Sequence, residues 1–144
     1  MKTIFALMAL TLVAPTTAFA ERSQIFGDIE VHYNAISTDE LAPEVARSYK
    51  LDRSKNRGLL TLSVLKKNKL GVGQPIKAEV SANAVNLSSQ LANVTIREVQ
   101  EGSAIYYLGE FRVSPPDTLK FNVTVKPVSD GKTLNVEFEQ KFYP

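Results

Sequence analysis

Between residues 58 and 142, apolar and polar side chains alternate in six successive runs: 58–66, 75–85, 92–99, 104–113, 118–127 and 133–142. Alternation with period two marks a strand with one buried and one wet face, and a helix cannot gather such a pattern onto one side. The last two runs are the cleanest. Leu119, Phe121, Val123 and Val125 oppose Lys120, Asn122, Thr124 and Lys126; Leu134, Val136, Phe138 and Phe142 oppose Asn135, Glu137, Glu139 and Lys141. The breaks between runs carry residues suited to backbone reversal: Asn68 with Gly71 and Gly73, then Gly102, then Pro115 with Pro116 and Asp117, then Asp130 with Gly131.

A seventh run precedes these, over 25–35, with Ile29, Val31, Tyr33 and Ala35 on one face and Asp28, Glu30, His32 and Asn34 on the other. The period then changes. Ser37 and Glu40 have the spacing of a capping box, and Leu41, Val45 and Tyr49 recur at helical spacing, as do Ala42 and Ala46. One short helix is predicted over 41–49, with Pro43 in its first turn or at its start. Together these elements predict an all-β chain with one short helix, an immunoglobulin-like antiparallel β-sandwich of about seven strands. The hallmark Cys and Trp of that fold are absent, so strand count and patterning carry the assignment. An outer-membrane barrel fits less well, because Lys120, Lys126, Glu137 and Glu139 occupy faces that lipid would have to cover.

The N-terminus reads as an export signal: Lys2, an apolar run from Ile4 to Val13, then Ala18-Phe19-Ala20. Ten apolar residues are too few for the roughly 20 that span a bilayer. Cleavage after Ala20 is predicted to leave residues 21–144 as a single β-sandwich domain with no transmembrane segment. The chain has no cysteine, which excludes a lipid-attachment thiol, disulfides and thiolate metal sites. Small secreted domains are often cross-linked, so this composition points to a bacterial periplasm. Loss of Lys2 takes one of 17 basic residues and leaves 16 against 15 acids, a net +1 that offers nucleic acid no attractive field.

Catalytic motifs are missing. A single histidine, His32, excludes any site that needs two imidazoles, and no Gly-x-Ser-x-Gly turn is present. Glu30, His32 and Asn34 share a strand face that reads as solvated rather than metal-binding, so no metal, cofactor or enzyme activity is predicted. The unusual segment is 47–57, where Arg47, Lys50, Arg53, Lys55 and Arg57 meet one acid, Asp52. In an extended chain Arg53, Lys55 and Arg57 project to one side as a clamp for phosphate or carboxylate, and Ser54 and Asn56 to the other as hydrogen-bond donors. The plainer alternative is a solvated loop whose arginines pair with nearby acids or cap the helix. In the run 104–113, Tyr106 and Leu108 fall on the outward face, where the helix is expected to cover them.

Phe26-Gly27-Asp28, 31–35, 43–46, Arg53-Ser54-Lys55-Asn56-Arg57-Gly58, 104–108 and 140–143 resemble a bacterial exported family known as domain of unknown function 4426. The resemblance spans nearly all of 21–144 and implies a short periplasmic protein of one domain; it carries over no catalytic residue or ligand. The leading expectation is a non-enzymatic module that binds an envelope protein through an edge strand or through 47–57. The alternative is a binder of an anionic small molecule or glycan through Arg53, Lys55 and Arg57. A hydrolase built on paired carboxylates is a third and weaker reading, since neither nucleophile nor metal motif accompanies the acids.

Overall fold

The alternating runs become strands wherever one face can be buried. The computed structural model describes residues Arg22 to Pro144; the predicted export signal and its cleavage point lie outside them. Nine strands follow in order: β1 (Arg22–Phe26), β2 (Ile29–Ser37), β3 (Arg57–Lys67), β4 (Gly73–Pro75), β5 (Ala78–Asn86), β6 (Leu91–Glu101), β7 (Ala104–Arg112), β8 (Asp117–Pro127) and β9 (Leu134–Phe142). One short helix, α1 (Pro43–Ser48), lies between β2 and β3. The chain is therefore all-β with one short helix, as the patterning predicts.

Two strands exceed the seven read from sequence. The run 25–35 is a hairpin rather than one strand, because Gly27 adopts φ +63 and turns β1 back onto β2 with Phe26 opposite Ile29. A three-residue strand, β4, folds back on the end of β3. The predicted capping box does not form: the Ser37 hydroxyl donates to Asp39 Oδ1, and residues Thr38–Glu40 make a 3-10 turn instead. The helix starts at Pro43, whose missing N–H falls where no intrahelical partner exists. Its buried residue is Ala46, whereas Val45, placed by periodicity on the packing face, is 40% exposed.

All pairings are antiparallel, and the path β1-β2-β3-β7-β6-β5-β8-β9 is continuous. It bends at β6, whose first residues pair with β5 and whose later residues pair with β7. The two halves thereby face each other around one core. Leu60, Leu62 and Phe111 from one half meet Phe121, Val123, Val136 and Phe138 from the other. Phe111 stands edge-on to Phe121 and Phe142, and Tyr33 lies against Phe138. Opposite the bend the sheet almost closes like a barrel. Arg22 of β1 bridges that seam, donating to the Glu139 carbonyl and Gln140 Oε1 of β9 while its guanidinium lies over the Phe138 ring.

A second, smaller core lies outside the sheet. Leu59 and Leu108, on the outward faces of β3 and β7, are covered by Ala46 and Leu51, with Tyr49 and Tyr106 packed around them. The helix therefore covers the outward Tyr106–Leu108 face, as expected. Arg97 donates to the Tyr49 carbonyl and the Tyr49 hydroxyl donates to Glu101 Oε1 at 2.7 Å, fastening the end of α1 to β6. Among the described residues no helix is long and apolar enough to cross a membrane.

Candidate functional site

The basic segment begins as a helix terminus. Leu51 N–H bonds the Ala46 carbonyl and Lys50 N–H the Arg47 carbonyl, with Lys50 at φ 55, which is the six-to-one and five-to-two pairing of a Schellman ending. That reversal places Leu51 against Ala46 in the small core. Arg47 faces Glu44 at 3.9 Å, an exposed pair one helical turn apart. Lys50 thus supplies a backbone turn, and Arg47 remains on the outer side of α1.

The next residues strap the loop to the sheet. Arg53 Nε donates to the Leu41 carbonyl and Nη2 to the Asp39 carbonyl, both at 2.8 Å. Thr38, fully buried, accepts from Ser54 N–H at 2.9 Å and donates to the Ser54 carbonyl at 3.1 Å. Asn56 N–H donates to Ser54 Oγ, and the Asn56 carbonyl accepts from Val113 N–H at 3.1 Å. Both Arg53 and Ser54 are occupied by the chain itself, and Lys55 stands exposed at the turn. The row of three cations predicted from an extended backbone is broken by this folding.

Arg57 is different, because it opens β3 and lies directly opposite Arg112 of β7. Like charges at directly opposed positions repel. One acid moderates them: Glu110 Oε1 is 3.9 Å from Arg57 Nη1. Arg112 has no ion pair or side-chain hydrogen bond among the described residues. The two arginines flank a cleft of about 470 Å³ that also takes in Leu91, Asn93, Thr95 and Phe111. Neither Arg53 nor Lys55 lines it. The cleft exists because β6 leaves β7 at this level to join β5. Arg112 was missed in the sequence, where it reads as one more polar position of an alternating strand; only the register places it against Arg57.

His32 lies on β2 between Ser23 and Ser63, and Glu30 Oε1 is 3.4 Å from its Nε2. Lys67 Nζ approaches Glu30 Oε2 at 3.2 Å. That hydrogen bond, with the charges of Lys67 and His32 and a hydrogen bond from Ser23, outweighs burial and holds the Glu30 carboxyl below its usual range. This is an ion-paired strand face, and no group of three or more His, Cys, Asp or Glu side chains among the described residues is arranged to hold a metal.

Comparison with known proteins adds a fold and a family. A DUF4426 family protein from Pseudomonas aeruginosa PAO1 superposes with a TM-score of 0.72 at 32% identity, covering 86% of this chain and 95% of that one. FetP of uropathogenic E. coli strain F11, recombinantly expressed in the periplasm, shares the fold at a TM-score of 0.61 and 16% identity, covering 87% of this chain and 97% of FetP. A copper-bound variant of FetP gives the same score and identity, over 85% of this chain and 95% of that one. No curated protein matches the sequence. The family model for the domain of unknown function DUF4426 matches residues 23–144, and the chain belongs to that family.

Proposed function

We propose that this chain is an exported, non-enzymatic binding module of the bacterial cell envelope, working in the periplasm after cleavage behind Ala20. It receives an anionic group at the cleft between Arg57 and Arg112. One observation carries the reading: two arginines directly opposed in the β3–β7 register, only one of them paired with a carboxylate, flank a cleft of about 470 Å³. A bound carboxylate or phosphate relieves that repulsion and accepts paired hydrogen bonds from guanidinium. The periplasmic expression of FetP, which shares the fold, supports the location.

Copper is a poor candidate. FetP has a copper-bound variant, but residues 22–144 of this chain contain one imidazole, His32, no thiol and no thioether. Soft or imidazole-rich donors are what copper sites draw on. The residues present do not fit such a site.

The test is thermal denaturation of the 21–144 chain with acetate, inorganic phosphate and an acidic oligosaccharide. An anion at 100 times its Kd adds about 2.7 kcal/mol of stability. Arg112→Gln is expected to abolish the shift, whereas Arg53→Gln lowers the basal melting temperature and leaves the shift in place. A shift that survives Arg112→Gln, or its absence with all three anions, counts against the cleft.

A further inference from the structure

The cleft is also a place where a sheet comes apart, and its walls are strand edges. The β6–β7 ladder ends at Thr95 opposite Glu110; continuing the same register would set Asn93 against Arg112, but no such pair forms. Backbone direction on the β7 wall follows from Val113, whose N–H donates to the Asn56 carbonyl on the β3 side. Successive residues of a strand point their N–H and C=O groups to opposite sides, so those of Arg112 turn toward the cleft. On the β6 wall, Asn86 N–H donates to the Gln90 carbonyl in the β5–β6 turn. Gln90, Ala92 and Val94 therefore address β5, and Leu91 and Asn93 address the cleft. Two edges with open backbone groups face each other across a widening gap, beside the two arginines. Leu91, 64% exposed, offers an apolar contact at its mouth.

We propose that the ligand of this site is an extended peptide ending in a free carboxylate, which enters the gap as an added strand. The peptide runs along β6 toward the fork at Thr95 and Glu110, bonding the backbone of Leu91 and Asn93. Its terminal carboxylate is taken by the guanidinium groups of Arg112 and Arg57. Strand addition supplies main-chain hydrogen bonds, and the charged end fixes the register. This inference rests on the anion-binding reading of the same cleft and names its ligand. A protein edge is usually blunted by charged side chains, and here two cations, Arg57 and Arg112, outnumber the one carboxylate of Glu110, which turns away a basic segment and admits an acidic end.

The test is calorimetric titration of the 21–144 chain with an N-acetylated Val-Thr-Val-Thr-Val peptide, its C-terminal amide and acetate. Amide hydrogen exchange is followed in parallel at Leu91, Asn93 and Arg112. The free-acid peptide is expected to bind about tenfold or more tighter than the amide, the worth of one charge-assisted contact. It should also slow exchange at those three amides, and Arg112→Gln should bring the acid down to the level of the amide. Equal binding of acid and amide overturns the role of the carboxylate. Peptide binding no tighter than acetate, with unchanged exchange, overturns strand addition while leaving the anion site standing. No binding by peptide or by any anion removes both.

Discussion

Gly58 is predicted to be the least replaceable glycine in the chain, and Gly58→Ala is the perturbation that tests how the cleft floor is built. A Cβ at this position would lie 2.1 Å from Cε2 and Cζ of Phe111, its cross-strand partner, and 2.9 Å from Cδ2. Ordinary carbon contacts lie near 3.5–4.0 Å, so the ring must retreat by about 1.5 Å. It has little room to do so. Phe111 is 4% exposed and stands edge-on to Phe121 at 5.1 Å and to Phe142 at 5.7 Å. Forcing an extra methyl group into such packing costs about 1–3 kcal/mol, and each lost aromatic contact roughly 0.5–1.5 more. Replacing Gly where φ is not left-handed returns about 0.4–1 kcal/mol by restricting the unfolded chain.

The net expectation is a loss of about 2–3 kcal/mol, equivalent to roughly 10 °C in melting temperature for a domain of this length. Urea denaturation followed by circular dichroism measures it directly. The mechanism has its own signature: Phe111→Leu shortens the obstructing side chain, so Gly58→Ala made in that background should cost at least about 1 kcal/mol less than in the wild type. Gly109→Ala is the control. Its Cβ would meet Val94 Cγ1 at 2.5 Å and Ile96 Cδ1 at 2.6 Å rather than Phe111, so its cost is expected to be the same with Phe or Leu at 111. An unchanged urea midpoint for Gly58→Ala, or a cost that is the same with Leu at 111, would refute the reasoning.

Tyr49 is pushed up to about 12 from its ordinary 10.0, first by donating to Glu101, then by burial and by the negative charge of Glu101. Because the folded value is the higher one, its contribution to stability is complete below pH 10 and is lost as pH rises through 12. Residue-resolved NMR titration of the tyrosine rings should show Glu101→Gln returning Tyr49 toward its ordinary value while Tyr107 stays in place; an unmoved Tyr49 contradicts the assignment. Arg22→Ala should open the seam between β1 and β9, costing about 1 kcal/mol and speeding amide exchange over 22–26 without affecting 119–125; uniform acceleration would place the role of Arg22 elsewhere. Lys50→Gly should stabilise the chain by about 1 kcal/mol, since a non-glycine residue carries the left-handed Schellman position, and a destabilised variant would show that the Lys50 side chain is needed.

The strands were legible because each depends on a local pattern that burial enforces. Leu119, Phe121, Val123 and Val125 alternate in the sequence and all face the core. The β1–β2 hairpin was not legible, because Ile25 extends the odd-numbered alternation of Ile29 and Val31 across Gly27, whereas it is Phe26 that pairs with Ile29 and Ile25 is left 58% exposed. Val45 and Ala46 exchanged roles for a related reason. A six-residue helix gives periodicity too few turns to define a face, and the small core at Leu59 and Leu108 accepts the small side chain of Ala46.

The candidate site divides along the same line between local and non-local information. Arg53, Lys55 and Arg57 look like a unit only while the backbone between them is taken as extended. Buried Thr38 imposes another geometry, since its hydroxyl must exchange hydrogen bonds with the Ser54 backbone, and Arg53 then falls within reach of the carbonyls of Asp39 and Leu41. A guanidinium that already donates to two carbonyls has fewer donors left for a ligand. Arg57 closes the turn through its backbone N–H to the Ser54 carbonyl, but its side chain escapes this strap because β3 has begun and Gly58 must sit under Phe111. The register that pins Gly58 to Phe111 is the one that sets Arg57 against Arg112. The packing of the core and the pairing of the two cations are thus consequences of one strand alignment. A one-residue slip of β7 there would turn Arg112 inward and Phe111 out and leave Arg57 without its opposite cation, which ties the anion site to the hydrophobic core more tightly than to the rest of the basic segment.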